Sequence, residues 1–94
     1  MAEKTIPIWH NFMSELTSLA HGHIKNQAWD IRSSIILVDF DYHRHRFRLL
    51  FCDNTAILAT NGKLQCYEYA DPDFTPNKVL EDIRRKHDHA RNRY

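Results

Sequence analysis

The tetrapeptide "TNGK" at residues 60 to 63 restricts the fold more than any other stretch. Asn61 and Gly62 both tolerate the left-handed backbone that a two-residue type I′ turn demands, which places Thr60 opposite Lys63 in an antiparallel hairpin. The same register sets Ile57 opposite Cys66 and Ala59 opposite Leu64. From Ile31 to Tyr69 the chain alternates with a period of two and is rich in β-branched and aromatic residues, so a sheet is expected there, with strands near 55 to 60 and 63 to 69. Asp53 and Asn54 suit another tight turn, which pairs Phe51 with Ala56 and Leu49 with Leu58.

The hairpin that precedes them contains "DYHRHRFR" at residues 41 to 48 and has no glycine, so side-chain matching must set its register. Placing Phe40 opposite Phe47 brings Val38 to Leu49 and Ile36 to Phe51 on one face. On the other face Asp41 then meets Arg46 and Asp39 meets Arg48. Tyr42, His43, Arg44 and His45 are left over as a four-residue mobile loop.

Helices flank this sheet. Trp9, Phe12, Met13, Leu16, Leu19 and Ala20 recur at helical steps, which predicts a helix over residues 6 to 24. Thr5 is its cap, Pro7 lies in its first turn, His21 is in its last turn and Gly22 stops it. A second helix starts near 76, where Thr75 caps, Pro76 takes the first position, and Val79, Leu80 and Ile83 form a short apolar stripe with solvated turns beyond. Glu81 is expected to pair with Arg85 and Asp82 with Lys86. The expectation is one α+β domain over residues 1 to 94: N-terminal helix, four-stranded antiparallel meander, C-terminal helix.

The registers put Ile36, Val38, Phe40, Phe47, Leu49, Phe51, Ala56, Leu58 and Tyr67 on a core face. The opposite face carries the acid and arginine pairs at one end and Ile35, Leu37, Leu50, Cys52, Ile57, Leu64 and Cys66 at the other. A free antiparallel face is normally polar, so this one calls for cover, either partly from the second helix or from another chain.

Composition narrows the chemistry. Thirteen basic and twelve acidic residues give a net charge of +1, with no global field toward nucleic acid or membrane. The longest apolar run is four residues, which fits a cytoplasmic protein with no membrane partner. Cys52 and Cys66 match no zinc knuckle and read as reduced core thiols. His-x-His occurs three times, as "HGH" at 21 to 23, "HRH" at 43 to 45 and "HDH" at 87 to 89. The first straddles a helix stop, the second lies in a loop, and on a helix the third pair points apart, so no metal or cofactor is expected.

"ILVDFDYH" is similar to the strand ending in Asp-x-Asp of haloacid dehalogenase phosphotransferases, but that family needs a parallel sheet and a longer chain. The element order is loosely similar to a double-stranded RNA-binding domain, yet "TPNKVLEDI" carries two acids where that family has a glycine-bounded basic motif. Neither resemblance is adopted, and no catalytic residue is expected.

The expected function is therefore binding. The leading expectation is a small non-enzymatic module of inhibitor or adaptor type, a kind common among phage and mobile-element proteins. It would dock a protein partner through Leu37, Leu50, Ile57 and Leu64 and the tip residues Tyr42, His43, Arg44 and His45, with a homodimer as one form of the contact. The alternative is nucleic-acid binding through Arg46 and Arg48 of the hairpin and Arg84, Arg85, Lys86, Arg91 and Arg93 of the last helix.

Overall fold

The computed structural model describes the backbone of residues 2–91 and the side chains of residues 8–88. Helix α1 (Ala2–Leu19) leads into five strands, β1 (Ile24–Ile31), β2 (Ile36–Tyr42), β3 (His45–Phe51), β4 (Thr55–Thr60) and β5 (Lys63–Glu68), and helix α2 (Pro76–Arg91) follows. The strands form one antiparallel meander in sequence order. The α+β architecture is as expected, with one strand more.

Three expected registers are present. Phe40 faces Phe47, Val38 faces Leu49, and Asp39 and Asp41 face Arg48 and Arg46. Leu49 meets Leu58 and Phe51 meets Ala56, while Thr60 meets Lys63 around Asn61 and Gly62, both at positive φ. Register follows from burial: every second residue of β2 is buried, from Ile36 to Tyr42, and a one-residue slip would turn that set to the outside.

The added strand corrects the first helix. Helix α1 begins at Ala2, ahead of Thr5, and ends at Leu19 rather than at residue 24. His21 and Gly22, at φ 51° and 82°, form the turn out of it, so His21 is not in the helix. Strand β1 was hidden because its alternation is broken: Ile24 pairs with buried Tyr42 and Trp29 with buried Val38, but a bulge between Lys25 and Ala28 makes the spacing odd. Asn26 takes φ 58° in that bulge.

Both helices lie on one side of the sheet. Val79, Leu80 and Ile83 of α2 share a core with Trp9, Met13 and Leu16 of α1 and with Val38, Phe40, Leu49 and Leu58 of the sheet. At one end Trp9 stacks on Phe51 at 4.4 Å between centroids, with Phe12, Tyr69 and Phe74 around it. The Thr75 hydroxyl accepts the Lys78 N–H at 3.2 Å, the expected cap with Pro76 in first position. No described helix is long and apolar enough to cross a membrane.

Candidate functional site

With both helices on one side, the other sheet face is uncovered, and α2 does not contribute the expected partial cover. Strand pairing lines up Asp30, Leu37, Leu50, Ile57 and Cys66 in one row across all five strands. The next row holds Ala28, Asp39, Arg48, Ala59 and Leu64. Leu64 is 69% exposed, and Leu37, Leu50 and Ile57 are partly exposed. Cys66 is also exposed, so it is a surface thiol on this face rather than a core one; Cys52 is partly buried, and both are free.

The charged residues beside this row are already satisfied. Arg48 donates to Asp39 at 2.6 and 3.1 Å. Asp41 accepts from Asn26 at 2.9 Å and from Arg46 at 3.1 Å. These bonds hold both carboxyls below the usual carboxylate value: the Arg48 bond dominates at Asp39, and at Asp41 the Asn26 amide leads, followed by Arg46. Arg46 and Arg48 therefore face acids across the strand, on the side of the sheet away from α2.

At the hairpin end the expected four-residue loop is a two-residue turn. Strands run to Tyr42 and from His45, and only His43 and Arg44 turn the chain, at φ 49° and 71°. Tyr42 is buried, so it is core rather than contact surface. His43 stacks on His23 at 4.1 Å between centroids, and His87 of α2 packs on Tyr42, His43 and His45 at 5.4, 5.1 and 4.7 Å. All three His-x-His motifs thus send an imidazole to one place. The rings stack, tilt or meet edge to face, and among the described residues no three His, Cys, Asp or Glu are placed to hold a metal ion. His87 is only 8% exposed, which corrects the expectation of solvated turns beyond Ile83. The spacing Val79, Ile83, His87 is a readable signal for that burial.

The basic helix is engaged differently from the expected pairs. Asp82 is 0% exposed and accepts from Tyr67 at 2.7 Å and Gln65 at 2.9 Å. Lys78 and Arg85 reach its other oxygen at 3.1 and 2.9 Å, so neither Asp82–Lys86 nor Glu81–Arg85 forms. Burial alone pushes the Asp82 carboxyl up, but the Tyr67 hydroxyl and the Lys78 and Arg85 cations together hold it below its usual value. The same contact, with burial as the larger cause, raises the Tyr67 phenol. Arg84 is exposed and Lys86 half-buried on α2, on the opposite side of the sheet from Arg46 and Arg48. The Arg91 side chain and Arg93 lie outside the described residues, as does the side chain of His89.

Fold and face together define a small α+β domain with an uncovered, partly apolar sheet. Compared with known proteins, the chain matches no family model, no curated protein and no solved structure.

Proposed function

We propose that this chain is a small protein-binding module of the inhibitor or adaptor type, working by docking rather than by catalysis, and that the uncovered sheet face is its binding surface. The observation that carries the reading is the row Leu37, Leu50, Ile57 and Cys66, extended by Leu64, on a face that none of the described residues covers. Removing such a row from water is favourable in proportion to its apolar area. The flanking Asp39–Arg48 and Asp41–Arg46 pairs cancel within the sheet, so the face presents little net charge and selects an apolar, near-neutral partner surface.

A second copy of the chain meets that description. Two such faces can stack around a two-fold axis that runs parallel to the strands between Leu50 and Ile57, which sets Arg48 over Ala59 and Asp39 over Leu64, so that these charges do not oppose their own copies. From strand spacing and rise the face measures about 500 Å² per copy, hence about 1,000 Å² in total, at the lower end for a specific interface. A weak, concentration-dependent dimer is expected. Sedimentation equilibrium of the wild type and of Leu50→Lys tests it: a dimer lost in the variant supports the reading. A wild type monomeric at high concentration contradicts self-docking.

The nucleic-acid reading retains one favourable observation: Arg84 and Lys86 of α2 have no acidic partner among the described residues. Fluorescence anisotropy with short DNA and RNA at two salt concentrations is its test; strong, salt-sensitive binding is required.

A further inference from the structure

The end of the sheet where β1 meets the β2–β3 turn holds a second feature, separate from the open face. His23, Lys25, Asn26, Asp41, His43 and Arg44 line a cavity of about 240 Å³. Lys25 lies opposite Asp41 in the register, but that carboxylate is taken by the Asn26 amide and the Arg46 guanidinium. Lys25 and Arg44 therefore border the cavity with no ion pair among the described residues. By contrast Arg32, Arg46, Arg48, Lys78 and Arg85 each have an acid within 4 Å.

Two imidazoles, stacked on each other at 4.1 Å, complete the wall. Three of the six lining residues, Asn26, His43 and Arg44, hold left-handed backbone although none is glycine. The Asn61–Gly62 turn of this chain shows the less strained solution for a two-residue loop. At the first hairpin the position that favours glycine carries a guanidinium instead, a planar fork suited to an oxyanion.

We propose that this cavity binds a small phosphate-bearing anion, either inorganic phosphate or the phosphate of a small monoester, between Lys25 and Arg44. Its volume lies below the range of drug-sized ligands and suits a small anion. The paired Asp41 carboxylate is the one acid in the wall, and its charge is offset by Arg46. Among the described residues Lys25, Asp41 and Arg44 share the cavity wall with the two imidazoles, and Tyr42 and His87 pack on the His43 ring.

The test is an amide and imidazole NMR titration at constant ionic strength. Inorganic phosphate, phenyl phosphate and sulfate are the probes, all at one pH, and chloride is the control. Saturable shifts confined to the six lining residues are expected. Arg44→Gly relieves the turn and so folds, yet is expected to bind about tenfold more weakly or worse, the loss of one charge-assisted contact. A response to phenyl phosphate but not to inorganic phosphate assigns the site to monoesters, and equal responses assign it to the phosphate group alone. Shifts that chloride reproduces, that spread equally to Arg84 and Lys86, or that persist unchanged in Arg44→Gly overturn the proposal.

Discussion

Asp82 shows how a single charge organises this molecule. It is fully buried, yet two hydroxyl or amide donors and two cations reach its two oxygens, and through Tyr67 and Gln65 it ties α2 to β5. Replacing it with asparagine leaves the Tyr67 hydroxyl with a weaker acceptor, and unfolding by denaturant should show a loss of about 1–3 kcal/mol. The sign of its pH dependence follows from the depressed carboxyl: the stabilisation is present above the unfolded value, 3.8, and disappears as the pH falls through the lower folded value. The denaturant midpoint should therefore drop as the pH is lowered below about 4, and less steeply in Asp82→Asn. Arg44 is the opposite case, a residue that costs stability where it stands. Its φ of 71° suits glycine, and Arg44→Gly should raise the thermal midpoint, reflecting a gain in stability of up to about 1 kcal/mol once added chain entropy is subtracted. A lowered midpoint would show that the guanidinium stabilises the turn by contacts absent from its geometry.

Among the elements, legibility in the sequence depended on whether period and turn chemistry agreed. The β2–β3, β3–β4 and β4–β5 pairings could be read to the residue because apolar matching, charge matching and the Asn61–Gly62 turn all demand one register. Strand β1 could not, since its bulge shifts the apolar positions to an odd spacing and "IKNQAWDI" is mostly polar. The tip is hard to read for a related reason: two left-handed residues without glycine are uncommon, so the sequence favours a longer loop than the two-residue turn that His43 and Arg44 make. The convergence of His23, His43, His45 and His87 depends on β1 and on where α2 packs, neither of which local patterning fixes. Helix α2 itself was legible at its start. Thr75→Ala should cost about 1 kcal/mol by loss of the cap. Ile83→Ala should cost about 3 kcal/mol, because that side chain is fully buried between α2 and the sheet. Both are checked by chemical unfolding.

At the scale of the whole molecule the decisive feature is the placement of both helices on one side. The sequence showed an apolar second face but not that α2 would leave it bare, because the stripe Val79, Leu80 and Ile83 fits either side equally well. Its burial in the same core as Leu16 and Val38 is a tertiary outcome. The central claim, that Leu37, Leu50, Ile57 and Leu64 form the docking surface, is tested most directly by methyl NMR over a concentration series. The account predicts that these four methyl signals move together as the protein is concentrated, that Leu16, Leu58 and Ile83 stay still, and that Leu50→Lys abolishes the movement while leaving the core signals in place. Signals of the open face that stay fixed at millimolar protein, or move no more than those of the core, would contradict it.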